Sequence, residues 1–88
     1  MFEKNVTVVN KLGIHARPAG SIVRVAATFK SKVELVKDGN SADAKSIMSV
    51  MMLAAAKGTA VTVRADGEDE EAAVQAVIAL FEGKFNED

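Results

Sequence analysis

The stretch "KVELVKDGNSADA", residues 32–44, decides the architecture of this chain. Val33 and Leu35 fall on one face of an extended run, the two-residue period of a strand with one side buried. Asp38-Gly39-Asn40 then gives the strongest hairpin signal in the sequence, because glycine takes the positive φ that a tight turn needs. A short partner strand follows over residues 41–44. Upstream, "FEKNVTVV" at residues 2–9 is β-branched and partly alternating, which predicts a first strand, and "NKLG" turns the chain. From Ala16 to Phe29, the residues Ile22, Val25, Ala26 and Phe29 recur at i, i+3, i+4 and i+7, the stripe of a helix laid on a core.

Downstream, Ser46 opens an apolar helical stretch running to about residue 55, with Gly58 as its expected C-cap. "AVTVRA" (60–65) alternates and predicts a fourth strand. "DGEDEE" (66–71) leads into a last helix whose acidic first turn suits the positive end of a helix dipole, with Val74, Val77, Ile78 and Phe81 as its apolar stripe. The order is βαββαβα. Four strands with one apolar face, covered by helices on that side, make a two-layer α+β sandwich, expected as a single domain over residues 1–88.

Composition narrows the function classes. Hydrophobic residues make up 49% of the 88 and charged residues 26%, the balance of a globular chain. With no cysteine there is neither a disulfide framework nor thiolate chemistry, and one histidine argues against a metal site. The longest apolar stretch, "IMSVMMLAAA" at 47–56, is too short to span a bilayer, and "MFEKNVTVV" lacks the layout of a signal peptide. The expectation is an intracellular, cytoplasmic, soluble protein. A net charge of −1, with no Trp and no Tyr, argues against a nucleic-acid or small-ligand module that works by stacking. The charge is uneven, however. Residues 1–44 hold 7 Lys+Arg and 4 Asp+Glu, and residues 45–88 hold 4 and 8, so the first half suits an acidic or phosphorylated partner.

That basic half contains "GIHARPAGS", residues 13–21, with the only histidine and the only proline of the chain. Gly13 allows a sharp turn after the first strand. Pro18 belongs in a first helical turn, where a missing N–H costs nothing. His15 is thereby placed at or just before a helix N-terminus, whose N–H groups and dipole create a positive potential. A neutral imidazole is a nucleophile, and an anion attached to it would be received by the same N–H groups. Arg17 adds a planar guanidinium suited to phosphate oxygens. A phosphoryl group on imidazole nitrogen is labile and passes on readily, so the constellation reads as a phosphohistidine relay site.

"AKSIMSVMMLAAAKG", residues 44–58, together with "GIHARPA", resembles the two signatures of the HPr family, the histidine-containing phosphocarriers of the bacterial phosphotransferase system. The motifs stand in the family's order, and the predicted element order and length match over the whole chain. The resemblance implies an open-faced β-sandwich: a four-stranded antiparallel sheet with three helices on one face. It implies that enzyme I, charged from phosphoenolpyruvate, phosphorylates His15 on Nδ1, and that the group then passes to sugar-specific transporter components. Arg17 would steady the phosphate. The protein would be a phosphoryl-group carrier rather than a turnover enzyme, a monomer, with no cofactor, no metal, no nucleic-acid partner and no membrane insertion.

Ser46 matches a position that a dedicated kinase phosphorylates from ATP in many family members, although serine is also among the best helix N-caps. A phosphate there would bring about two negative charges to the rim of the docking surface, with Lys45 beside it. The same resemblance assigns Ile47, Met48 and Met51, with Ala19 and Gly20, to a docking surface shared by the partners, and Arg24 to its charged edge. Exposed methionine is adaptable and suits several partners. Two residues depart from the family pattern. Leu12 replaces a small polar residue, which suggests a missing hydrogen bond near the active loop, and Ser49 stands where some members have glycine or lysine. A second reading within the family is a nitrogen- or carbon-control phosphocarrier without a part in sugar uptake.

Overall fold

In the computed structural model, which describes residues 1–86, the chain runs β1 (Phe2–Thr7), α1 (Ala16–Ala26), β2 (Lys32–Lys37), β3 (Asn40–Asp43), α2 (Ile47–Met52), β4 (Ala60–Asp66) and α3 (Glu70–Glu82), ending in a 3-10 turn at Lys84–Asn86. The hairpin falls where the sequence places it: Val36 pairs with Ser41 and Lys37 with Asn40. Asp38 and Gly39 both take positive φ (51° and 81°), as a turn matched to the strand twist requires. The sheet order is β1-β4-β2-β3 and every pairing is antiparallel. β4 lies inside the sheet, with Leu35 opposite Val63 and Val6 opposite Val61.

Alternation sends Val33, Leu35, Val61, Val63 and Ala65 to one face, where they are buried with Ile22 and Ala26 of α1 and Val74, Val77 and Phe81 of α3. Burying a side chain of this size is worth about 1.5–3 kcal/mol. The expected α+β sandwich is therefore the observed one, and the last helix buries its whole predicted stripe.

Boundaries differ where the backbone finds other partners. β1 ends at Thr7 rather than 9, since Val8 exchanges bonds with Gly58 and Thr59 in the loop before β4. α1 stops at Ala26, three residues early. The N–H groups of Thr28 and Phe29 tighten onto Val25 and Ala26, and the Thr28 hydroxyl donates to the Val25 carbonyl at 2.7 Å. α2 has only six residues and does not reach Gly58, because the chain turns left-handed at Ala54 (φ +53°). Gly58 belongs instead to the turn into β4, its N–H donating to the Val8 carbonyl. The 3-10 turn was not expected. It stacks Phe85 edge-on against Phe81, centroids 4.9 Å apart, and closes that end of the core.

The loop between α1 and β2 is tied to the start of α3 through Asp69. Its carboxylate accepts from the Ser31 hydroxyl and from the N–H groups of Lys30 and Ser31. The Ser31 hydroxyl above all, then the Lys30 amide, holds the Asp69 carboxyl down from 3.8 to about 2. A carboxylate depressed in the folded state stabilises above its unfolded value and loses that contribution as pH falls from near 3.8 towards 2. Urea unfolding from pH 5 to pH 2 should show a falling midpoint. In Asp69→Asn that fall should be shallower, from a lower starting stability at pH 5. An identical slope in the variant would dissociate Asp69 from the acid sensitivity.

Candidate functional site

The loop from Asn10 to His15 is a held structure. Asn10 is fully buried, and its side-chain amide donates to the Gly13 carbonyl at 2.7 Å while the Gly13 N–H returns a bond to the Asn10 carbonyl at 3.2 Å. Gly13 has φ +69°, and a Cβ there would stand 2.6 Å from the Ala55 oxygen and 2.9 Å from the Ala56 Cα, so only glycine fits. Ile14 is buried, and its N–H donates to the Ala55 carbonyl at 2.9 Å. The loop thus rests on the segment that follows α2.

This seating delivers His15 to the N-cap of α1, with extended backbone (φ −103°, ψ −165°) and its carbonyl accepting the Ala19 N–H at 3.0 Å. His15 is half-buried, its Nε2 turned away from solvent. The amides of Ala16 and Arg17 precede the first i to i−4 bond, and Pro18, third in the helix, has no N–H to offer. No acidic residue stands in the first turn, so the positive end of the α1 dipole is uncompensated by the helix itself. Arg17 is exposed on the same turn. The arrangement places a half-buried imidazole, two helix-start amides and an exposed arginine within one turn. A separate hollow, lined by Asn5, Val6, Thr7, Val9, Ala60 and Glu82, shares no residue with it.

The second motif adjoins the first. A Cβ on Gly20 would lie 4.0 Å from the Ile47 Cδ1, so α1 and α2 abut beside the loop. Ser46 is the N-cap of α2: its hydroxyl accepts from the Ser49 N–H at 3.4 Å and its carbonyl from the Val50 N–H at 3.0 Å. Lys45, expected to stand beside a phosphate on Ser46, has its ammonium on the Phe29 carbonyl at 2.8 Å instead. Ile47 (42% exposed), Met48 (67%) and Met51 (40%) face outward, so these positions form surface rather than core. Arg24 is exposed in the last turn of α1, its guanidinium 3.5 Å from the Ser21 hydroxyl.

Ala19 corrects the expected surface. It is fully buried, on the stripe it shares with Ile22 and Ala26, so it supports the face from beneath and Gly20 lies nearer the surface. Three further residues shape the same region. Leu12 (72% exposed) and Met52 (79%) enlarge the apolar area of the loop and of α2. Asn10 supplies a loop hydrogen bond in spite of the apolar residue at 12, and its signal was the asparagine three residues before a glycine. Among the described residues no group of three or more His, Cys, Asp or Glu could hold a metal ion, and no helix is long and apolar enough to cross a membrane.

Known proteins share this fold and sequence pattern. Residues 2–83 match the family model described as the PTS HPr component phosphorylation site. A phosphocarrier protein HPr from Xylella fastidiosa strain Temecula1 is 51% identical over 88 residues, which is 100% of this chain and 99% of the relative. The crystal structure of HPr-C-His from Thermoanaerobacter tengcongensis superposes with a TM-score of 0.95 at 42% identity, covering 100% of this chain and 99% of that one. An HPr dimer from the same organism matches with a TM-score of 0.77 at 42% identity, covering 97% and 98%. With both signatures in place on the sandwich that those proteins share, the chain belongs to the HPr family of phosphotransferase-system phosphocarriers.

Proposed function

We propose that His15 receives the phosphoryl group from phosphorylated enzyme I on Nδ1 and hands it to sugar-specific components of the phosphotransferase system. The donor's bond to phosphorus breaks as the His15 nitrogen–phosphorus bond forms, and that bond breaks in turn as the acceptor's bond to phosphorus forms, so nothing is consumed in the carrier. The observation behind this reading is the placement of His15 at the N-cap of α1, whose first turn carries the Ala16 and Arg17 amides and the exposed Arg17. Those groups hold the three anionic oxygens on an exposed surface from which the group can leave. The acting species is a cytoplasmic monomer, since both the loop and α2 must be uncovered for each partner in turn. Incubation with enzyme I and phosphoenolpyruvate should add one phosphoryl group that acid removes; an unchanged mass would defeat the proposal.

Ser46 gives the relay a control point. It borders the exposed side chains of Ile47 and Met48, so a phosphate placed there by a serine kinase, and removed by a phosphorylase, sets like charge against an acidic partner. The position also suits a regulatory role in nitrogen or carbon control without sugar uptake, in which the phosphoserine form is the signal. Ser46→Asp should weaken association with enzyme I by about tenfold, or ~1.4 kcal/mol, while circular dichroism reports unchanged helix content, because aspartate is itself a good N-cap. Unaltered affinity in a titration calorimeter would leave Ser46 as a cap alone.

A further inference from the structure

We propose that Lys37 is a positioning residue for the His15 loop, acting through the corner that follows α2. The proposal rests on the reading of His15 as phosphoryl acceptor. A helix leaves its last carbonyls without intrahelical partners, and α2 has no basic residue in its own last turn. The cation comes from outside. Lys37, the last residue of β2, sends its ammonium to the Leu53 carbonyl at 2.9 Å and the Ala54 carbonyl at 3.4 Å. Its base is firm, because Lys37 pairs with Asn40 at the mouth of the hairpin.

The corner it grips needs holding. Ala54 has φ +53°, a left-handed conformation that costs an alanine about 1–2 kcal/mol relative to the right-handed one. One residue on, the buried Ala55 offers its carbonyl to the Ile14 N–H at 2.9 Å, and Gly13 packs against that same oxygen with no space for a methyl group. Ile14 precedes His15. The contacts therefore run from the Lys37 ammonium to the Leu53 and Ala54 carbonyls, to the Ala55 carbonyl, to the Ile14 amide, and so to the imidazole at the start of α1. Without the ammonium, the two carbonyls turn to water and Ala54 relaxes. The Ala55 oxygen then withdraws from Ile14, and His15 loses its register against the Ala16 and Arg17 amides.

Native-state hydrogen exchange and single-turnover transfer from phosphorylated enzyme I, both on the full chain, test this in Lys37→Met and Lys37→Arg. The methionine variant should exchange the Ile14 amide about tenfold faster, with the Val61 and Val63 amides of β4 unchanged. Its maximal transfer rate should fall by about fivefold at constant KM for phosphorylated enzyme I, as expected of a displaced nucleophile. Arginine should restore both. Adding Ala54→Gly to the methionine variant should recover part of the rate, since glycine holds the left-handed turn without strain. Unchanged Ile14 protection would overturn the proposal, and so would equal acceleration at Ile14 and in β4, which would mean only a general loss of stability. If the wild-type chain takes no phosphoryl group on His15, the acceptor reading fails, while the exchange comparison still decides whether Lys37 holds the loop.

Discussion

Replacing His15 by alanine is expected to abolish acid-labile phosphorylation by enzyme I and phosphoenolpyruvate while leaving the sandwich folded. The chain has one histidine and no cysteine, so no second imidazole or thiolate can take the group over. The fold does not lean on the ring as a helix cap: the side chain makes no capping hydrogen bond, and the N-cap function comes from the backbone carbonyl, which alanine retains. The Asn10–Gly13 bonds and the Ile14–Ala55 bond that seat the loop are also untouched by the change. Stability should therefore drop by at most about 1 kcal/mol, within the range of an ordinary cap substitution. Intact-mass spectrometry before and after acid treatment reads the first outcome, and urea unfolding the second. An acid-labile adduct persisting in His15→Ala would move the acceptor to another residue, and an unfolded variant would show that the ring is structural.

Most of the fold was legible because each signal is local. Val33, Leu35, Val61, Val63 and Ala65 alternate, and a period of two leaves no choice about which face is buried. Asp38 and Gly39 fix the hairpin by their own conformational preferences. The candidate site was legible for the same reason: the glycine, histidine, arginine and proline that compose it lie within residues 13–18. What escaped depends on pairings across sequence. The early end of α2 follows from a left-handed alanine, which no propensity favours, and that corner is held by a lysine 16 positions from Leu53. Lys45 looked like a phosphate ligand because it adjoins Ser46 in the chain, yet its ammonium goes to Phe29. Ala19 was assigned to the docking surface by resemblance, whereas helical spacing from Ile22 and Ala26 already placed it on the buried stripe.

Reversing the charge at Arg17 separates the chemistry of the site from its architecture. Arg17 is the second residue of α1 and is exposed, so no core packing is lost when it changes. Glutamate is favourable in a first helical turn, worth about 0.3–1 kcal/mol against the dipole, so Arg17→Glu should unfold no earlier than the wild type. The effect on phosphoryl transfer runs the other way. Hydrogen bonds from a charged donor contribute about 1.5–3 kcal/mol, and a carboxylate in their place repels the phosphoryl oxygens and competes for the same amides. The loss should reach about two to three orders of magnitude in the transfer rate, since each 1.36 kcal/mol is a factor of ten. Arg17→Lys should fall between the two, because an ammonium keeps the charge but loses the planar fork. Rapid-quench measurement of transfer from phosphorylated enzyme I, alongside thermal unfolding, reads both effects. Equal rates in wild type and Arg17→Glu would remove Arg17 from the phosphate site. A slower rate accompanied by unfolding would instead show that the arginine serves the helix.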